Sequence, residues 1–205
     1  MTSKPNPHEA VSMHNRFVSL EALSPAHSAD LRRAVGDLGT TWYVDHVPAP
    51  DGVDEQIEFL TASDNYVPWA ILRDGRAIGV TCIYNIDERN RHCELGYTWI
   101  SPDAQGGAVN PAVKLLVLTR VFEELGFMRA EFRCHSMNMQ SRRSLEKLGA
   151  TLEGTLRRHR IMNNGTVRDS CIYSILDYEW PTVKCGLEAR LHPTATIAVG
   201  LSAAN

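Results

Sequence analysis

Short apolar stretches bounded by turn residues predict strands over 66–72, 77–86, 92–100, 129–135, 152–162 and 167–176. Residues 17–20 alternate enough for one more strand ahead of them. Helical spacing intervenes between these segments. Ser24 and Pro25 suit the cap and first position of a helix reaching about Gly36. Val53, Ile57 and Leu60 fall on one face of a second helix over 51–62. A third helix is expected over 111–125 and a fourth over 139–148, the latter ended by Gly149. Asp74-Gly75 and Asn163-Asn164-Gly165 are hairpin turns, and residues 40–50 form a loop with Trp42, Tyr43 and His46. The order is three antiparallel strands, a helical crossover, a strand, a helix and a final hairpin. That predicts an α+β fold, a mixed and mostly antiparallel sheet flanked by helices. Residues 1–13 read as a flexible lead, 14–181 as one domain, and 182–205 as a tail whose last part, from His192, is left unstructured.

Two loop-to-helix junctions, about thirty residues apart, carry the chemistry. In the first, Gln105, Gly106, Gly107, Ala108 and Val109 precede Asn110 and Pro111. Glycines without side chains let a backbone approach a bulky anion. Asn110 is read as the helix cap and Pro111 as its first residue. A helix start leaves free N–H groups and a partial positive charge of ~+0.5, which suits a phosphate. Taken alone, the junction reads as an ordinary capped turn, since Gly-rich turns before helices are common. It is neither a P-loop nor a dinucleotide fingerprint, because the lysine and the third glycine are missing. In the second junction, Asn138 caps a helix carrying Ser141, Leu145 and Leu148.

The second spacing, Asn138-x-x-Ser141-x-x-x-x-Glu146-Lys147-Leu148-Gly149-Ala150, resembles motif B of the GCN5-related N-acetyltransferases, the GNAT superfamily. Gln105-Gly106-Gly107-Ala108 is similar to their motif A, and residues 94–100 to the strand before it. The likeness covers roughly residues 14–181 and is closest to the RimJ/RimL type. It implies the GNAT acyl-CoA N-acyltransferase fold, acetyl-CoA as co-substrate without a metal, and an amine acceptor. A homodimer is compatible with it. One residue more than the usual pattern between Tyr97 and Pro102 predicts a bulge. The tyrosine acid common in motif B is absent, since Ser144-Leu145 stands in its place.

Composition narrows the class. The chain has 205 residues, 43% of them hydrophobic, enough for one domain with a full core. A net charge of −3 and pI near 6.2 give no basic footprint for nucleic acid. The local cluster Arg142, Arg143, Arg157, Arg158 and Arg160 would face coenzyme phosphates or an acidic substrate in the family reading, and is otherwise solvated charge. Five cysteines without Cys-x-x-Cys spacing, four of them in predicted strands, suggest buried free thiols and a cytoplasmic location. No signal segment or membrane-length apolar run is read in the chain.

The resemblance gives each site residue a role. Gln105 to Asn110 and Arg142 would bind the coenzyme's phosphates, and Asn138 its pantetheine amides. A backbone N–H near Trp99 or Ile100 would polarise the thioester carbonyl. Ser141 would bond the sulfur and return a proton, or else merely pad the helix start. Glu94, placed by alternation on one face with Gly96 and Thr98, is the candidate base, or else a partner of Arg91 or another arginine. Trp42, Tyr43 and His46 would wall the acceptor pocket, or plug the core. At pH 7 an α-amine is roughly 10% neutral and a lysine about 0.04%, so neutralising them costs ~1.4 and ~4.6 kcal/mol. A weak or water-mediated base therefore favours a protein N-terminal or amino-acid-like α-amine. The alternatives are a small-molecule detoxifying acetyltransferase, for an antibiotic or aminoacyl nucleotide, and a catalytically weak acetyl-CoA-binding regulator.

Overall fold

The computed structural model describes residues 5–36, 38, 41–44 and 46–192. Its strands are β1 (Met13–His14), β2 (Ser19–Ala22), β3 (Tyr66–Arg73), β4 (Arg76–Asp87), β5 (His92–Ile100), β6 (Arg129–His135), β7 (Thr151–Ile161) and β8 (Val167–Leu176). Its helices are α1 (Ser28–Val35), α2 (Val53–Thr61), α3 (Val109–Thr119), α4 (Met139–Leu148) and α5 (Trp180–Leu191). The strands form one sheet in the order β1-β2-β3-β4-β5-β6-β8-β7. Among the described strands, β5 with β6 is the parallel pair and the rest run antiparallel. The mixed α+β sheet is as expected, but the final hairpin inserts β8 between β6 and β7.

Each face of the sheet carries its own apolar layer. Leu31 and Val35 of α1, and Val53, Ile57 and Leu60 of α2, pack on Ala70, Val80 and Trp99. The opposite face is larger. There Val113, Val117 and Leu118 of α3, Leu145 and Leu148 of α4, and Val183 and Leu187 of α5 cover Trp69, Ile83, Phe132 and Ile175. Four cysteines, Cys82, Cys93, Cys134 and Cys171, are buried free thiols in strands.

The structure departs from the sequence pattern at several element ends. The strand expected at 17–20 is β2, two residues later, because the Asn15 side-chain carbonyl accepts from the N–H groups of Phe17 and Val18 (2.9 and 3.1 Å) and holds a turn there. The lead before β1 is tied down from Asn6 onward. The buried Arg120 guanidinium donates to the carbonyls of Asn6 and Glu9 (both 2.9 Å), and the Trp69 indole donates to that of Val11 (2.8 Å). Residues 1–4 lie outside the described residues. Arg120 begins a π-helical turn, Arg120–Glu124, that ends α3. Residues 182–191 are not a tail but most of α5, whose Trp180, Val183, Leu187 and Leu191 are buried. Burial of four such side chains contributes ~1.5–3 kcal/mol each, which outweighs the ~1 kcal/mol cost of Gly186, and Pro181 in the first turn costs nothing. The remainder of the expected tail, 193–205, lies outside the described residues, as do Thr40 and Asp45 of the loop.

Among the described residues, no helix is long and apolar enough to cross a membrane, and no cluster of His, Cys, Asp or Glu is placed to hold a metal ion.

Candidate active site

The site begins where two strands part. The β5–β6 ladder pairs His92 with Arg129, Cys93 with Ala130 and Glu94 with Glu131, and pairing stops there. Beyond that point β5 runs on to Ile100 and β6 to His135, leaving a wedge between them. A bulge on β5 shapes one wall. Val80 faces Trp99 and Cys82 faces Gly96, so Thr81 alone opposes both Tyr97 and Thr98. Tyr97 adopts φ 50°. This is the extra residue expected between Tyr97 and Pro102. Gly79 makes room for it, because a Cβ there would stand 2.2 Å from the Trp99 carbonyl oxygen. A bulge interrupts the ladder locally and re-aims side chains.

The re-aiming corrects the expected alternation. Glu94 and Gly96 share a face, since a Cβ on Gly96 would meet the Tyr84 ring that reaches Glu94. Tyr97 and Trp99 lie on that same face, toward α1 and α2. Thr98 does not. Its hydroxyl lies 2.9 Å from that of Thr81 and accepts from Lys114 of α3 (3.5 Å), on the other side of the sheet.

On the α3 side the two loop-to-helix junctions converge. The Gln140 amide donates to the Gln105 carbonyl oxygen, and the Asn110 amide to the Ser144 hydroxyl, both at 3.2 Å. Gln105 also donates to the Ile100 carbonyl (2.8 Å), tying the junction to the end of β5. The start of α3 differs from expectation. Its cap is Ala108, not Asn110, and the helix begins at Val109, whose side chain is drawn into the core. Pro111 therefore sits at the third position, where a missing N–H still costs nothing. No side chain caps this end, and among the described residues no acceptor takes the N–H groups of Gly106 to Asn110. Gly106 has φ 76°, and around Gly107 there is open space. Such an end leaves free N–H groups and a partial positive charge facing open space.

α4 starts as expected. The Asn138 side chain accepts from the Ser141 N–H (3.0 Å), and Gly149 closes the helix at φ 100°. Ser141 is half-buried, and its hydroxyl lowers the pKa of the Cys134 thiol of β6 against the larger upward push of burial. Arg142 turns toward its own fold, donating to the Ser136 carbonyl (3.2 Å) and the Tyr173 hydroxyl (3.3 Å). Arg157 and Arg158 lie exposed on the edge strand β7.

On the α2 side, Glu94 stands at the closed end of the wedge and is only 3% exposed. The Tyr84 hydroxyl and the Asn85 amide (3.1 Å) donate to it, and Arg133 pairs with it at 3.3 Å. The arginine is Arg133 rather than Arg91. Burial holds the Glu94 carboxyl above the usual carboxylate range, against the opposing pulls of Tyr84, Arg133 and Asn85. A ring cluster of Tyr66, Tyr84 and Tyr97 packs beside it, with centroids 5.4–5.8 Å apart.

The aromatic loop spans the mouth of the wedge. Trp42 and Tyr43 pack on His135 at the end of β6 (5.5 and 6.1 Å), and His46 packs on Tyr97 of β5 (5.9 Å). Gln56 of α2 holds the loop by donating to the His46 carbonyl and accepting from the Trp99 indole (3.0 Å). Asn164 in the β7–β8 turn donates to the Trp42 carbonyl (2.9 Å). Trp42 is nevertheless 49% exposed, so it is not a core plug.

Residues 18–151 match the family model described as an acetyltransferase (GNAT) domain. The chain belongs to the GNAT acetyltransferase family. It is 33% identical, over 116 residues, to the Bacillus subtilis (strain 168) protein named "Putative ribosomal N-acetyltransferase YdaF". That match covers 57% of this chain and spans 62% of the length of the relative. Among solved structures it is similar to a GCN5-related N-acetyltransferase from Brucella melitensis, with TM-score 0.85 and 28% identity over 94% of this chain and 90% of that one. Mycobacterium smegmatis RimJ in complex with CoA-disulfide shares the fold, at TM-score 0.71 and 22% identity over 84% of this chain and 88% of that one.

Within this GNAT domain Gln56, Tyr84, Asn85, Lys114 and Arg133 also meet at the wedge, although local sequence patterns do not single them out. Asn85 carried a faint signal as a polar residue late in an apolar strand, where it adopts φ 49°. The others act across sheet neighbours that local patterns do not pair.

Proposed function

We propose that this acetyltransferase moves the acetyl group of acetyl-CoA to a primary α-amine, at a protein N-terminus or on an amino-acid-like molecule. The observation that carries the reading is the wedge between β5 and β6, with an uncapped helix start on one side and a buried carboxylate with an aromatic mouth on the other. The N–H groups of Gly106 to Asn110 hold the pyrophosphate, and the space at Gly107 admits it. The free side of the Asn138 amide serves the pantetheine arm. Backbone N–H groups at the bulge near Trp99 and Ile100 polarise the thioester carbonyl. Glu94, held high in pKa by burial, takes the amine proton directly or through water. Trp42, Tyr43 and His46 wall the acceptor. The YdaF name supports the N-terminal class, and so does the smaller cost of neutralising an α-amine.

The exposed Trp42 ring favours a second reading, a planar small-molecule acceptor stacked on it. Thiol release with purified protein separates the two. We expect turnover with peptides bearing a free N-terminus and little with the same peptides blocked at that end. Turnover confined to aminoacyl nucleotides or aminoglycosides would select the small-molecule reading. Coenzyme binding without turnover on any amine would leave a binding protein.

Ser141 is assigned to the sulfur. Ser141→Ala is expected to lower kcat about tenfold to a hundredfold and to change KM for acetyl-CoA little. One hydrogen bond to a charged group contributes ~1.5–3 kcal/mol, and the thiolate charge develops only in the transition state. Steady-state kinetics with varied acetyl-CoA makes the comparison. An unchanged kcat would return Ser141 to its place as a helix-start residue beside Cys134.

A further inference from the structure

The wedge contains a cation that the reading above does not use. Lys114 points from α3 toward the sheet and is 8% exposed. Its ammonium donates to Thr98 on the β5 wall at 3.5 Å and lies 5.4 Å from the Phe132 ring centroid on the β6 wall. It therefore occupies the floor between the two parting strands, directly under the bulge. Among the described residues no carboxylate pairs with it. On that face β5 and β6 contribute the thiols of Cys93 and Cys134, while Glu94 and Tyr97 lie on the opposite face. None of them offsets its burial, which alone lowers its pKa to about 8. Glu94, Glu131 and Arg133 close a network of their own at the paired end.

A buried, unpaired ammonium is costly, and an apolar side chain of the same length is the more stable choice where only packing matters. An ammonium at this point suits a counter-charge that arrives with a ligand. We propose that Lys114 is a catalytic group of the acyl transfer, its ammonium stabilising the thiolate that leaves the acetyl carbonyl. The inference rests on the acetyl-CoA reading above. In the step, the acceptor nitrogen bonds the carbonyl carbon, the carbon–sulfur bond breaks, and its electron pair goes to sulfur. The proton lost by the amine leaves to Glu94 or water, and Lys114 keeps its own. Thr98, bonded to Thr81 and accepting from Lys114, sets the position of the ammonium. Ser141 meets the sulfur from α4, so one side supplies a hydrogen bond and the other a charge.

The test titrates the thiol of coenzyme A bound to the wild-type protein, by ultraviolet thiolate absorbance with the free protein subtracted. Burial pushes the thiols of Cys82 and Cys93 far up and that of Cys134 to about 11, so they stay silent near neutrality. We expect the thiolate fraction of bound coenzyme at pH 7 to exceed that of free coenzyme about tenfold, and Lys114→Met to abolish the excess. The variant should fold at least as stably as the wild type, bind desulfo-coenzyme A equally, and lose kcat about tenfold or more. A bound thiol that titrates like the free coenzyme in the wild type would overturn the proposal without any variant. So would Lys114→Met with undiminished kcat. Absence of coenzyme binding by the wild type would instead sink the acetyl-CoA reading, and this proposal with it.

Discussion

Gly107→Glu is expected to remove acetyl-CoA binding while the protein keeps its fold. The added side chain has room, since nothing stands within 4 Å of a Cβ at Gly107. Its carboxylate would lie over the uncapped start of α3 and take the N–H groups that the pyrophosphate needs. It would also repel the phosphates. Loss of two charge-assisted hydrogen bonds, at ~1.5–3 kcal/mol each, corresponds to about a hundredfold or more in affinity. Calorimetry with coenzyme A measures the affinity, and thermal melting checks the fold. An unchanged affinity with a normal melting curve would place the coenzyme elsewhere on the molecule. Gly107→Ala is the control. It fits the same space without charge and should bind much as the wild type does.

Glu94→Gln is expected to lower kcat/KM by about a hundredfold or more, within the range for a lost general base. The amide keeps the shape of the group among Tyr84, Asn85 and Arg133 but cannot accept the amine proton. The pH dependence carries the sign. Burial raises the folded-state pKa of Glu94, and the carboxylate is the active form. Rate therefore falls as pH drops through that raised value, and this acidic limb disappears in the variant, leaving only the limb of the acceptor amine. Acceptors of lower amine pKa should suffer less, because less help is needed to make them neutral. A variant with wild-type rate and the same limb would make Glu94 a structural partner of Arg133. The two variants fail differently. Gly107→Glu removes binding, whereas Glu94→Gln should bind coenzyme normally and lose the chemistry.

Local signals were enough for much of the frame. β5, β6, α4 and β8 begin and end at the residues the sequence indicates, because turn and cap residues bound them: Asn138 and Gly149 for α4, and the Asn163-Asn164-Gly165 turn ahead of β8. The start of α4 is legible for the same reason, since a side-chain cap is decided within a few residues of chain. α5 is not legible because Gly186 weakens the local helical signal, and burial of Trp180 and Leu187 against the core outweighs it.

The sequence by itself determined most of the strands, the helices α1 to α4 to within a few residues, and that Asn138 caps the helix carrying Ser141. Tertiary structure alone decided the rest of the site. The alternation that grouped Thr98 with Glu94 fails because one bulge, accommodated by Gly79, turns Thr98 to the opposite face. The cap moves from Asn110 to Ala108 because Val109 is drawn into the core. The parting of β5 and β6, the Arg133 beside Glu94, and the placement of Lys114 under the bulge all join residues distant in sequence. Short-range propensity acts over one or two turns of chain. Charge neutralisation, burial and strand register are settled between elements, after they have packed.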